Sequence, residues 1–418
     1  MSNEENAHPD HKIQEKLDAL GQHFRPGAPV DTFSLLKGRG QQVSSVLAAV
    51  RGLGQHAVVF GEPGVGKTSL AHVARSIVAN IPPRHFGVRI QCSADDSFAS
   101  VWRKFYAQAL VESDIYPGGN QRDLSEAISR VESICTADEV SPFDAYRVLN
   151  IVGRVTPVFL VIDEFDRIPD YVARELFSDL IKNLSDNLAP VTVVIVGVSD
   201  DVGGLISGHQ SIQRALTQIP MPRMGSDELT EVLNEGLASA GITVPGRIAR
   251  RCVELSQGLP YYVHLIGGLM GEFAVLDGKD EVQNVHYIQA LQAAVERTSH
   301  TIVQKYRDAT ASHRSDALYE IVLLACALAE TDDLGYFLPS AVREPYSVLT
   351  KKNRRTADFI RHLQAFCDYS RGPIFDTRGE GRQTKYRFID PLLQPYVLIL
   401  GFVEGRLSGE DVDKVNSI

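Results

Sequence analysis

The chain has 418 residues, of which 44% are hydrophobic, and a formal net charge of −10. It is long enough to bury a large core and to divide into two or three domains. No apolar stretch approaches the length that crosses a bilayer, even 321–329. Five cysteines spread without C-x-x-C spacing or clustered histidines exclude a zinc site and fit reduced thiols in a cytoplasmic protein.

Residues 1–30 are polar and lack an apolar signal-peptide core, so they read as a mobile tail with a short helix around His11 to Leu20. Next comes the apolar run Ala57 to Phe60, then a loop of the pattern G-x-x-x-x-G-K-S/T, then Leu70, Val73, Ala74, Ile77 and Val78 at helical spacing. Strand, loop and helix are the context a phosphate-binding loop requires. An incidental Gly-rich turn would not come with both flanks. The loop residues Gly61, Glu62, Pro63, Gly64, Val65, Gly66, Lys67 and Thr68, with Ser69, are therefore expected to hold ATP. Glycines let backbone N–H groups close around the phosphates at a helix N-terminus; Lys67 reaches the terminal phosphates, and Thr68 holds Mg²⁺.

About a hundred residues on, Val158 to Ile162 is a continuous apolar run ending in Asp163-Glu164. That suits a strand buried on both faces of a parallel sheet. Asp163 is the expected Mg²⁺ residue and Glu164 the general base that orients and deprotonates the attacking water. A third such strand, Val191 to Val196, leads through Gly197-Val198 to Ser199, whose hydroxyl can hydrogen-bond the attacking water or the γ-phosphate. A helix-like stretch, Gly208 to Leu216, carries Arg214 and precedes the strand-like Gln218 to Met221.

This order of parts resembles the AAA+ superfamily, within the clade of origin-recognition-type initiators and STAND signalling ATPases. The matching residues run from Gly38-Arg39 through the phosphate loop, Asp163-Glu164, Ser199 and the Arg214 segment to Gly258-Leu259-Pro260, which looks like the G-x-P motif of the STAND lid. The resemblance spans roughly Leu36 to Gly278. It implies an α/β fold: a P-loop AAA+ parallel-sheet core over 31–224, a helical lid over 225–300 and a C-terminal winged-helix domain over 301–418. It also implies that Ser199 senses the γ-phosphate, that Arg214 is a finger acting on a neighbouring subunit, that Arg39 lies near the base and that Pro260 is a lid contact. Arg223 competes with Arg214 for the finger role. The lid has no arginine in Gly258 to His264, where initiators carry one, so the chain leans towards the STAND side.

The lid region reads as helices, the first capped by Ser226. In the last domain, helices are expected over Ala317 to Leu328, Pro339 to Leu349 and Arg354 to Asp368, then a hairpin pairing Ile374 to Thr377 with Thr384 to Phe388. Three helices and a hairpin are the winged-helix order. Arg354, Arg355 and Arg361, preceded by Lys351-Lys352 and joined on the wing by Arg378, Arg382, Lys385 and Arg387, form a basic region that suits DNA phosphates. The overall negative charge argues instead for a protein partner or intramolecular packing. The expected function is an ATPase that assembles as a homo-oligomer through a nucleotide-bridged interface and acts as a switch on DNA. The alternative is a STAND-type signalling ATPase whose winged helix contacts proteins.

Overall fold

The structure, a computed structural model, describes residues 9–29, 36–200, 202–206, 212–312, 318–332 and 334–416. Gly208 to Ser211, the start of the stretch that carries Arg214, and residues 1–8 and 30 of the expected tail lie outside them. The chain divides into two compact units: Pro29–Glu62 with Gly66–Pro222, and Met1–Ala28 with Pro63–Val65 and Arg223–Ile418.

The first unit is built on a five-stranded parallel sheet among the described residues, with strands β1 (His56–Gly61), β2 (Phe86–Gln91), β3 (Val158–Asp163), β4 (Val191–Val198) and β5 (Leu216–Pro220) in the order β2-β3-β4-β1-β5. β3 is buried at every position, as its unbroken apolar run requires when helices cover both faces. Register pairs Gln91 with Asp163 and Gly61 with Val198, which brings the C-terminal strand ends onto one edge. Ligands bind at that edge in open parallel sheets. The surrounding helices start on capping residues. Ser97 caps Phe98–Ile115, Ser141 caps Pro142–Gly153 and Asp170 caps Tyr171–Asp186. Trp102, Phe105, Phe159, Phe165 and Phe177 are among the unit's fully buried side chains.

Among the described residues the second unit is mostly helical, with one hairpin. Its N-terminal helix, Pro9–His23, corrects the expectation of a mobile tail for those residues. Ile13, Leu17, Leu20 and Phe24 recur on one face and pack into the core that contains the helices Ser226–Ala238 and Pro260–Leu276. Glycines make the approach possible. A Cβ at Gly236 or Gly267 would lie within 2.7 Å of the Phe24 ring, and one at Gly271 would lie 2.7 Å from Leu20. Ser226 turns out to be the first residue of its helix rather than the cap. The Glu228 carboxylate instead accepts from the backbone N–H of Gly225.

The expected lid and C-terminal domain share this single core, which runs from Tyr262 and Leu269 to Leu324, Tyr346 and Leu398. Helices Tyr319–Ala327 and Pro339–Thr350 fall where expected. The third is shorter. Arg354 and Arg355 precede a 3-10 turn, and the α-helix covers only Ile360–Ala365, burying Leu363, because the Asp358 carboxylate caps the turn at the Arg355 N–H. Strands β6 (Phe375–Arg378) and β7 (Lys385–Phe388) pair antiparallel, and Phe337 adds an antiparallel bridge to Tyr386.

Candidate active site

The loop after β1 has the backbone that a phosphate cradle needs. Gly61, Gly64 and Gly66 adopt φ of +151°, +82° and +93°, where a Cβ is disfavoured, and a Cβ on Gly61 would lie 2.4 Å from the Met221 carbonyl oxygen. Gly66 ends the loop as the N-cap of the helix Lys67–Asn80. Lys67 is buried at 8% exposure, and its Nζ donates to the carbonyl oxygens of Gly61 at 3.0 Å and Glu62 at 2.7 Å. The amine is thus folded back over the loop. Burial pushes its pKa down to about 8, against the opposing pull of Asp166, Asp163 and Glu62.

Asp163, at the end of β3, is 1% exposed. Its Oδ1 accepts from the Glu164 N–H at 2.9 Å and lies 3.4 Å from Thr68 Oγ1. Two hard oxygen donors, from the loop helix and from a buried strand end, therefore face one another, a donor set that suits Mg²⁺. The other oxygen, Oδ2, is gripped by Arg89 of β2, with Nη2 at 2.7 Å and Nε at 3.2 Å. Arg89 went unremarked in the sequence. The signal was an arginine inside the otherwise mostly buried strand Phe86–Gln91.

Glu164 takes the left-handed conformation, φ 54°, at the turn out of β3, which costs a non-glycine residue on the order of 1–2 kcal/mol. Its Oε2 pairs with Arg167 Nη1 at 2.9 Å, and both side chains are at least a third exposed. Such an exposed pair is screened by solvent, contributes little and opens readily. Asp166, two residues on, was also missed. Its Oδ1 accepts from the Val198 N–H at 2.8 Å and so ties the end of β4, where half-buried Ser199 follows, to the turn after Asp163.

The remaining expected residues lie elsewhere. Ser69 is in the first turn of the loop helix, half-buried. Arg39 is 2% exposed, immediately precedes the helix Gly40–Arg51, and donates to the Pro222 carbonyl at 2.6 Å. Arg214 is exposed and stands two residues before Leu216, which pairs with His56 at the start of β1. It therefore occupies the sheet edge opposite the phosphate loop. Arg223 belongs to the helical unit, where Nη1 donates to Gln394 Oε1 at 2.8 Å and to the Gln257 carbonyl at 3.1 Å. Pro260 is the first residue of its helix in the same unit, after Gly258 at φ +79°.

Of the basic residues, Arg355 and Arg361 are exposed. Arg354 packs its guanidinium 5.2 Å from the Tyr346 ring centroid, Lys385 pairs with Asp332 at 2.7 Å, and Arg387 pairs with Asp376 at 3.3 Å while lying over the Tyr336 ring. No helix among the described residues is long and apolar enough to cross a membrane.

A glycine loop, a buried lysine and a threonine facing a buried aspartate at a parallel strand end define a P-loop NTPase. The model of the family described as nSTAND1, Novel STAND NTPase 1, matches residues 31–332, and the chain belongs to that family. Among solved structures, the Walker-type ATPase of Pyrococcus abyssi is similar over 89% of this chain and 98% of that one, at 16% identity and a TM-score of 0.50. The ORC2 protein of Aeropyrum pernix aligns over 92% and 98%, at 15% identity and a TM-score of 0.48. Cdc6p of Pyrobaculum aerophilum aligns over 93% and 99%, at 16% and 0.45. At 16% identity the likeness to the first shows the fold alone. No curated protein matches the sequence.

Proposed function

We propose that the chain binds ATP·Mg²⁺, hydrolyses it, and uses the cycle as a switch that closes across a nucleotide-bridged interface between copies of itself. The observation that carries this is Thr68 Oγ1 opposite Asp163 Oδ1, with Lys67 folded over the adjoining loop. Thr68 and Asp163 are the residues that would hold Mg²⁺, which would supply neutralisation of the phosphate charge. The loop N–H groups and Lys67 orient the phosphates. Glu164 leaves its exposed pairing with Arg167 to take a proton from the attacking water, and Ser199 donates towards the γ-phosphate. Arg214, exposed on the sheet edge away from its own chain's phosphate loop, suits a role only on a neighbour's nucleotide.

Helices Tyr319–Ala327, Pro339–Thr350 and Ile360–Ala365 with the β6–β7 hairpin support a winged helix, and we read it as contacting protein rather than DNA. Arg354, Lys385 and Arg387, among the cations suited to phosphates, are already held by Tyr346, Asp332 and Asp376. The second reading, action on DNA, is favoured by Lys351, Lys352, Arg355, Arg361 and Arg378, which remain exposed. ATPase assays with and without duplex DNA, at low and physiological salt, separate the two. Turnover indifferent to DNA is expected; salt-sensitive stimulation by DNA would reverse the choice. Absence of turnover under every condition would remove the enzymatic reading.

A further inference from the structure

The carboxylate of Asp163 divides its two oxygens between opposite neighbours. Oδ1 faces Thr68, while Oδ2 takes two donors from one guanidinium, that of Arg89. The pair is largely withdrawn from water, with side-chain exposures of 2% for Asp163 and 23% for Arg89. Arg89 lies on β2, at the edge of the sheet, and its guanidinium spans a register step to the strand end: Gln91, two residues on, is the partner of Asp163 in register. Bridging that step takes a side chain as long as arginine with two donors at its end. Lys67 is a further cation on which the Asp163 charge acts.

Resting on the nucleotide-binding reading above, we propose that Arg89 is a positioning residue for the metal-binding carboxylate: it fixes the rotamer that presents Oδ1 to Thr68 and balances the buried charge when no metal is bound. Two consequences follow from electrostatics. With Arg89 present, the anionic phosphates of metal-free ATP meet an aspartate whose charge is already offset. Without it, the same phosphates meet a buried, unbalanced carboxylate, and only a divalent cation relieves the repulsion. Arg89 therefore sets how strongly ATP binding depends on Mg²⁺.

The test is equilibrium ATP binding by the full chain, in Mg²⁺ and in EDTA, for wild type, Arg89→Gln and Arg89→Lys, with thermal melting of each. Arg89→Gln should lower metal-free affinity about tenfold and Mg²⁺-supported affinity less than about threefold, so that the ratio of the two widens. Arg89→Lys keeps the charge and loses the two-donor grip. Its metal-free affinity should stay within about twofold of wild type, while the Mg²⁺ concentration giving half the metal-dependent gain rises about threefold or more. Where the glutamine variant melts below the assay temperature, the lysine variant decides alone. Equal losses in both conditions for Arg89→Gln mean a merely structural residue and overturn the proposal, as does Arg89→Lys matching wild type in both measures. Wild type that binds no ATP in either condition overturns the nucleotide reading itself, and the proposal with it.

Discussion

Thr68 Oγ1 and Asp163 Oδ1 lie 3.4 Å apart, although one opens the helix after β1 and the other ends β3, two strands away in the sheet. The threonine is delivered by the left-handed Gly66, which turns the chain directly into the helix, and the aspartate by a strand buried at every position. Neither donor can move far without disturbing the core. Lys67 is held nearby by two loop carbonyls that a phosphate oxygen would replace as its partner.

Binding and turnover should separate on these residues. Lys67→Ala removes a charge-assisted contact to the phosphates, and its ATP affinity should fall by roughly 10- to 100-fold. Glu164→Gln keeps the shape and loses the base, so it should bind ATP near the wild-type level while kcat falls on the order of 10²- to 10⁴-fold. Arg167→Ala, which only frees Glu164 from an exposed pair, should change kcat little. Nucleotide titrations alongside steady-state kinetics read all three. A Glu164→Gln protein with wild-type turnover removes Glu164 as the base.

The same lysine gives ATP binding a pH dependence of definite sign. Its pKa in the free protein is lowered to about 8 by burial, and bound phosphate must raise it. ATP affinity should therefore be flat below pH 8 and decline above it, by up to about tenfold per pH unit, until the pKa of the complex is reached. Isothermal titration between pH 7 and pH 10 on wild type and Lys67→Ala distinguishes this from global effects. The variant should lack the decline, and a parallel decline in both proteins would refute the assignment.

What the sequence disclosed and what it hid follow from the range of the interactions. The phosphate loop is local, its glycines and Lys67 being set by backbone geometry within eight residues, and the apolar runs of β3 and β4 mark buried parallel strands without any knowledge of their neighbours. Arg89 was invisible because its partner is 74 residues away and the pairing depends on the β2–β3 register. Asp166 was hidden for the same reason, since its role is to hold a backbone N–H on β4. The helix Pro9–His23 was legible in part. A helix around His11 to Leu20 was expected, but polar composition obscured the apolar spacing of Ile13, Leu17, Leu20 and Phe24, and no local signal announces the glycines that receive them. The helix expected over Arg354 to Asp368 failed at its start, where Asp358 caps a turn and Lys351 stands at φ 53°.

Arg214 and Arg223 should part company under mutation. Arg214 is exposed at the sheet edge away from its own phosphate loop, so Arg214→Ala should leave ATP binding and melting temperature unchanged and lower turnover by about 10³-fold or more. Mixing it with Lys67→Ala should restore part of the activity, because interfaces then form between an intact loop and an intact finger. Arg223 holds Gln394, which is 1% exposed, and the Gln257 carbonyl. Arg223→Ala should instead lower the melting temperature, since a buried amide loses a charged donor at a cost of about 1–3 kcal/mol. Normal turnover by Arg214→Ala, in a protein that stays monomeric with ATP, removes the shared-site mechanism.

The sheet carries an acid-sensitive element at its other end. His56, fully buried at the start of β1, accepts the Val193 N–H on Nδ1 at 3.1 Å, and burial lowers its pKa from 6.5 to about 4. The folded state thus binds this proton less readily than the unfolded chain does. Its neutral form contributes fully to stability above pH 6.5, and that contribution is lost progressively as pH falls towards 4, by at most about 3 kcal/mol for a shift of this size. His56→Asn retains an acceptor for the Val193 N–H and has nothing to protonate. Chemical denaturation at pH 7, 6 and 5 should show wild type losing stability faster than His56→Asn, whatever the two values are at pH 7. Parallel slopes would mean that other groups dominate the acid response and that His56 does not titrate between its two states in this range.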